Sequence, residues 1–316
     1  MKINRVCILG GTGFVGQHLT ARLAARGIKC RILSRHPHRH RDMKVLPGVR
    51  LYRSNIFDPE ALAVHFADCE AVINLVGILN EGRSGGFHRA HVELVGKTVD
   101  AAKAARVPQL LHMSALHASR ERGPSQYLVT KGEGEELAHT RGQPLIRVTS
   151  FRPSVIFGPG DSFFNRFAQL LRLAPGPFPL ACAEARFAPV YVGDVVAAFI
   201  HALEHPADSG RHFDLCGPQA FTLRELVRYT ARQLGLDPPI IGLNNTISRL
   251  QAHLFGLLPG KPFSYDNYLS LQVASVCEQN GLNELGIRPR AIDEIVPLYL
   301  SGQVKRQRYN QLQRVG

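Results

Sequence analysis

Val6-Cys7-Ile8-Leu9-Gly10-Gly11-Thr12-Gly13-Phe14-Val15-Gly16-Gln17-His18-Leu19 sets a glycine-rich turn between an apolar run and a helical pattern. Val6 to Leu9 reads as a buried strand, and from Phe14 to Arg26 the apolar positions Phe14, Val15, Leu19, Leu23 and Ala24 recur at helical spacing. The glycines therefore fall at a strand-to-helix turn. Residues without Cβ let backbone N–H groups approach a pyrophosphate, while the helix N-terminus faces it with partial positive charge. The spacing is the GxxGxxG form of the Rossmann phosphate turn, and its flanking strand and helix supply the context that a loose glycine pattern lacks.

The second strand indicates which dinucleotide is expected. An NAD site carries an acid about 20 residues on, at the end of that strand, to take the ribose hydroxyls. Here the strand reads Lys29-Cys30-Arg31-Ile32-Leu33 and ends in Ser34-Arg35, and the first acidic residue of the chain is Asp42. A carboxylate would repel a 2′-phosphate, whereas a hydroxyl and a guanidinium fork bind one through charge-assisted hydrogen bonds. NADP(H) is thus preferred, with NAD(H) as the alternative. The bland reading of Arg35 is the start of a solvated basic loop reaching Lys44.

With 316 residues the chain can bury a full core, and a formal charge of +13 asks for an anionic partner. Cofactor phosphates, an anionic membrane surface or an acidic protein would serve; nucleic acid is not expected, since no binding motif for it occurs. Cys7, Cys30, Cys69, Cys182, Cys216 and Cys277 form no CxxC pair and read as reduced core residues of a cytosolic protein. Met1 stands almost against the first strand, which leaves no room for a targeting peptide, and no apolar run is long enough to span a bilayer. The expected location is cytoplasmic, with peripheral attachment to the inner membrane as a further option.

Short apolar runs follow at Val49 to Tyr52, Ala71 to Val76, Leu110 to Met113 and Leu145 to Thr149, with helical patterns between them at Pro59 to Ala67, Phe87 to Ala105 and Tyr127 to His139. This alternation predicts an α/β fold: a doubly wound parallel Rossmann sheet over 1–151, followed by a smaller interleaved C-terminal substrate-side lobe over 152–316. The last sheet strands are expected near Val190 to Val192 and Arg211 to Leu215. Ile247, Leu250, Leu254, Leu257 and Leu258 share one helical face, and the basic tail holds Lys305, Arg306, Arg308 and Arg314. An interfacial helix has this pattern, and so does a core-facing one.

Tyr127-x-x-x-Lys131 opens the helix after the fifth strand and puts both side chains on one face. An ammonium beside a phenol favours the phenolate, making tyrosine usable as a proton donor or acceptor near neutrality. His36, His38 and His40 alternate with Pro37 and Arg39; arginines around them repel cations and no carboxylate or cysteine is near, so no metal site is assigned.

The glycine turn, Tyr127-x-x-x-Lys131 and Arg152-Pro153-Ser154-Val155-Ile156-Phe157-Gly158-Pro159-Gly160-Asp161 resemble the extended short-chain dehydrogenase/reductase superfamily, over most of the chain to about Leu234. Asn74 to Leu79, His112 to Leu116, Phe163 to Phe167 and Pro189 to Val195 resemble an atypical branch, the one containing the nucleotide-binding accessory subunit of respiratory complex I and its bacterial relatives. The resemblance implies a bound NADP(H) contacted by Gly10, Thr12, Gly13, Phe14, Val15, Gly16, Ser34, Arg35, Asn55, Gly77, Lys131 and the turn Pro153, Ser154 and Val155. Active members carry an Asn-Ser-Tyr-Lys tetrad; here His91 falls on the Asn position and Ala115 on the Ser position, with Ser114 one residue early. Losing one such hydroxyl donor costs roughly 10²- to 10³-fold in rate. Ser114 is the candidate substitute, although adjacent strand residues point to opposite sides. Asn55 stands where an acid commonly meets the adenine, and its amide oxygen can accept that bond.

Two functions follow as expectations. One is an oxidoreductase, or a sugar-nucleotide epimerase/dehydratase, acting on an unidentified small molecule with Tyr127 as acid/base and Lys131 on the ribose. The other is a nucleotide-stabilised structural or assembly protein of a membrane respiratory or quinone-pathway complex.

Overall fold

The computed structural model describes residues 3–82, 85–173, 176–206, 210–257 and 263–300. Leu258 and the basic residues Lys305, Arg306, Arg308 and Arg314 lie outside them.

In chain order the elements are β1 (Arg5–Leu9), α1 (Phe14–Ala25), β2 (Lys29–Ser34), β3 (Val49–Arg53), α2 (Pro59–Phe66), β4 (Ala71–Asn74), α3 (Gly86–His88), a π turn (Arg89–Glu93), α4 (Leu94–Ala104), β5 (Gln109–Met113), α5 (Gln126–Gly142) and β6 (Arg147–Pro153). There follow β7 (Ile156–Phe157), α6 (Phe164–Leu173), β8 (Phe178–Leu180), β9 (Arg186–Phe187), β10 (Val190–Tyr191), α7 (Val192–Glu204), β11 (His212–Leu215), β12 (Phe221–Thr222), α8 (Leu223–Gln233), β13 (Ile240–Gly242), α9 (Asn245–Gly256), α10 (Tyr265–Ser270), α11 (Gly281–Glu284) and α12 (Ile292–Leu300). The described residues within Met1–Pro153, Val195–Leu215 and Gln279–Ile287 form one compact unit, and those within Ser154–Asp194, Cys216–Glu278 and Arg288–Gly316 form a second.

The first unit is built on a seven-stranded sheet in the order β11-β6-β5-β4-β1-β2-β3, every pair parallel. Val6, Cys7, Ile8 and Leu9 are fully buried, as are Ala71, Val72 and Ile73. Strands covered on both faces read as continuous apolar runs rather than alternating ones, which is how these appear in the sequence. Leu62, Phe66, Val95, Val99, Val72 and Leu110 build one core cluster. Helix starts are set locally: the Asp58 carboxylate accepts from the N–H groups of Glu60 and Ala61, and the Ser125 hydroxyl accepts from Leu128 N–H. Each such cap contributes about 1 kcal/mol. Strand order reverses between β1 and β4, the place where doubly wound sheets open a crevice at their C-terminal ends.

Among its described residues the second unit has three two-stranded sheets, β7 with β10, β9 with β12 and β8 with β13. Phe157, Phe164, Leu226, Ile292 and Val296 form one of its cores. Two expectations are corrected here. Val190–Tyr191 does not join the main sheet; it pairs with Ile156–Phe157 alone, a two-residue ladder too short to be separated from a sheet strand by pattern. The cysteines are not all reduced core thiols: Cys216 and Cys277 form a disulfide, and Cys182 is half-buried. Gly217 N–H donates to the Ala188 carbonyl and Ala188 N–H to that of Ser275. Ala188 thus bonds both Gly217, next to Cys216, and Ser275, two residues before Cys277, a meeting that no sequence spacing reveals.

Candidate functional site

At the reversal point the glycines perform separate tasks. Gly10 has φ +77°, and a Cβ there would stand 3.0 Å from the Leu75 carbonyl carbon on β4's exit. A Cβ on Gly16 would lie 2.3 Å from the Gly10 oxygen, so only glycine lets α1 start this close to the turn. Gly13 N–H closes the turn on the Gly10 carbonyl at 3.0 Å, and the Gln17 side-chain amide donates to Thr12 O at 2.9 Å. Gly13 is the N-cap of α1; it supplies no side-chain acceptor, and the first turn contains no acid. The amides of Phe14, Val15 and Gly16 precede the first intrahelical bond, Gln17 N–H to Gly13 O, and are left for an external anion. The residues present therefore fit a pyrophosphate.

At the end of β2, Ser34 is buried and its hydroxyl accepts from His36 N–H at 3.2 Å, while Arg35 is exposed. His36 is held below the usual histidine range by loss of water and then by the surrounding Arg39, His38, Arg35 and Arg53. Cations therefore crowd this strand end. Asn55 is exposed and its amide oxygen already accepts from Phe57 N–H at 3.1 Å, which leaves its amide group and one lone pair for a ligand.

Lys131 is 3% exposed on α5, and its ammonium donates to the Met113 carbonyl at 2.7 Å. Burial brings its pKa down to about 8, with Glu135 opposing the shift. A Cβ on Gly77 would stand 3.3 Å from Lys131 Nζ, so the absence of a side chain there keeps the ammonium reachable. Tyr127, half-buried one turn earlier, packs its ring edge-on against His91 with centroids 5.5 Å apart.

His91 sits in the π turn and is 1% exposed. Its Nε2 accepts from Ile78 N–H at 3.2 Å, so the proton belongs on Nδ1, which bonds Thr130 Oγ1 at 2.9 Å. The Thr130 hydroxyl passes the chain on to the Gln126 carbonyl at 2.8 Å. Burial first, then the Lys131 charge, pushes His91 down to about 3. His91 is thus a neutral imidazole locked in one tautomer. The close approach of α5 to the His91 backbone had a sequence signal in Gly134, a glycine inside a helix where it costs about 1 kcal/mol. A Cβ on Gly134 would meet the His91 carbonyl at 1.8 Å.

Ala115 and Ala118 share a cluster with Leu128 and pack against Tyr127. Ser114 is 2% exposed and its Oγ has no hydrogen-bond partner among the described residues. His112, two residues earlier, meets Asn74 at 3.4 Å through Nδ1, and its buried Nε2 is also unpartnered. The remaining candidates lie on the chain segment that passes between the units. The Pro153 carbonyl accepts from Leu116 N–H, the Ser154 hydroxyl donates to Ser275 O at 2.7 Å, and the Val155 carbonyl accepts from Val190 N–H.

A parallel sheet with a glycine turn at its reversal point and a Tyr-x-x-x-Lys helix beyond β5 defines a Rossmann protein of the short-chain dehydrogenase/reductase type. The chain belongs to the NAD dependent epimerase/dehydratase family, whose model matches residues 6–216. It is 28% identical over 297 residues to NADH dehydrogenase [ubiquinone] 1 alpha subcomplex subunit 9 of Mus musculus, covering 90% of this chain and 77% of that one. It is 29% identical over 241 residues to ceramide reductase of Caulobacter vibrioides, covering 75% and 73%. Among solved structures, MoeE5 in complex with UDP-glucuronic acid and NAD superposes with a TM-score of 0.74 at 18% identity, covering 96% of this chain and all of that one, a likeness of fold.

Proposed function

We propose that the chain binds NADP(H), with its pyrophosphate on the Gly10–Gly16 turn and its 2′-phosphate at Ser34 and Arg35, and acts as an atypical oxidoreductase. The observation that carries the reading is Lys131: a buried ammonium beside Gly77, its pKa lowered by burial, one helical turn from Tyr127. Lys131 would hold the nicotinamide ribose, and Tyr127 would give or take the substrate proton at its phenolic oxygen. Gly77 leaves room for the ribose, and Thr12, Phe14, Val15 and Gly16 face the phosphates. When bound, the dinucleotide supplies or accepts the hydride. The ceramide reductase relative supports a reductase, and the family name leaves an epimerase or dehydratase as its neighbour.

Ala115 packed beside Tyr127 favours a second reading, in which nucleotide stabilises a structural or assembly subunit of a respiratory or quinone-pathway complex. The mouse relative supports it. Cofactor at a hundredfold its dissociation constant adds about 2.7 kcal/mol to stability. α9 supplies a surface for such attachment, because Ile247, Leu250 and Leu254 are 46 to 57% exposed while Ser248 and Ala252 are buried, and Leu257 just past its end is exposed too. The core-facing reading of that helix is thereby corrected: the small residues pack inward and the apolar face points out.

Tyr127→Phe separates the two. Loss of turnover by 10²-fold or more on a carbonyl substrate, with NADPH affinity kept, supports the oxidoreductase. Unchanged reductase activity, or full function of an assembled complex with the variant, rejects Tyr127 as acid/base.

A further inference from the structure

A second cationic site lies at the opposite end of the sheet from the glycine turn. A cavity of about 210 Å³ is lined by Arg5, Lys29, Arg31, Arg50 and Tyr52, together with Cys30 and Gly48. Register explains the clustering: Arg5 pairs with Lys29 across β1 and β2, and Arg31 with Arg50 across β2 and β3. Lys29 and Arg31 are two apart on β2, as are Arg50 and Tyr52 on β3, so all five side chains project from one face. Four cations occupy contiguous positions of a parallel ladder, where like charges directly opposite each other are destabilising.

Of the four, Arg5 alone has a carboxylate partner among the described residues. Asp68 Oδ2 stands 3.7 Å from Arg5 Nη1, and Glu70 spends one oxygen on the backbone N–H groups of Asn4 and Arg5. Arg31 is fixed by carbonyls at the C-terminal end of α2, those of His65 and Ala67, and leans over the Tyr52 ring at 5.9 Å. Among the described residues no acid pairs with Lys29 or Arg50, and both are exposed. Two of the cations are thus held in place and two are free to close on a ligand. β1 separates this pocket from Gly10; its five residues span about 16 Å, too far for the phosphate groups on the glycine turn to serve both sites.

We propose that this pocket binds a phosphate-bearing anion, as a site separate from the dinucleotide crevice. Guanidinium forks recognise the geometry of phosphate oxygens, Lys29 adds a point charge, and Tyr52 provides an aromatic wall for the ester-bearing side. The phosphate belongs to a small soluble phosphoester or to a lipid headgroup.

The test titrates pyrophosphate into the full chain saturated with NADPH, which occupies the glycine turn, and into the double variant Lys29→Gln/Arg50→Gln. Both positions are exposed, so the variant should fold, and without ligand at low salt its melting temperature should equal or exceed that of the parent, because repulsion is relieved. Saturable binding in the parent that weakens tenfold or more in the variant is the expected result. A parallel arm uses vesicles with and without phosphatidic acid. Sedimentation that depends on phosphatidic acid and on Lys29 and Arg50, with weak pyrophosphate binding, assigns the lipid headgroup; the reverse assigns a soluble phosphoester. Absence of binding to both probes, equal binding by parent and variant, or a variant that melts lower without ligand overturns the proposal.

Discussion

Lys131 and His91 show how burial rather than residue type sets the chemistry. Lys131 has its folded-state pKa depressed to about 8 against 10.5 when unfolded. Below pH 8 both states hold the proton and the fold bears the full cost of the buried charge. Between pH 8 and 10.5 the unfolded chain binds more protons, so this group makes stability rise with pH. The whole rise attributable to Lys131 is about 3 kcal/mol, of which about 2 falls between pH 7.5 and 9.5, and Lys131→Met should abolish it. Urea unfolding of parent and variant at pH 7.5 and 9.5 measures the difference, and parallel pH dependences would show that the lysine is not buried as described. The Tyr-x-x-x-Lys pair was legible in sequence because its spacing is helical. The role of His91 was not, since a lone histidine gives no sign that Nε2 will meet Ile78 N–H across a turn.

At the level of elements, α9 is the clearest departure from an ordinary amphipathic helix. Ser248 faces inward to accept from Cys182 N–H, and Ala252 is fully buried, so two small residues form the packed side. Replacing Leu250 and Leu254 together by Ser should leave far-ultraviolet circular dichroism and the melting temperature unchanged, while removing binding to anionic vesicles or to a complex. Retained binding would exclude this face as the attachment surface. Hydrophobic periodicity showed where this helix lies but not which side faces out, because one stripe suits a core and an interface equally. The same limit separates β1, β2, β4 and β5, long enough to read as buried strands, from Val190–Tyr191, whose two residues have no period.

At the level of the whole molecule, the sheet order was legible because each βα unit announces its own turn, while the closure of the second unit was hidden. The disulfide joins cysteines 61 residues apart, and in the chain-entropy account a loop of that length contributes about 4 kcal/mol. Cys277→Ser should therefore lower the melting temperature by several degrees under oxidising conditions and by nothing in excess reductant; an equal shift in both would assign the loss to packing. The formal charge of +13 is distributed with purpose: one cluster ends β2 beside the dinucleotide crevice and another fills the far end of β1 to β3. The first of these is where the dinucleotide's 2′-phosphate would be recognised. The most direct test of that recognition is calorimetric titration of nucleotide-free protein with NADPH and NADH, for the parent and for Arg35→Ala. NADPH should bind the parent more tightly than NADH by tenfold or more, and the variant should lose that preference while keeping its NADH affinity. Failure of the folded, nucleotide-free parent to bind either dinucleotide would contradict that recognition.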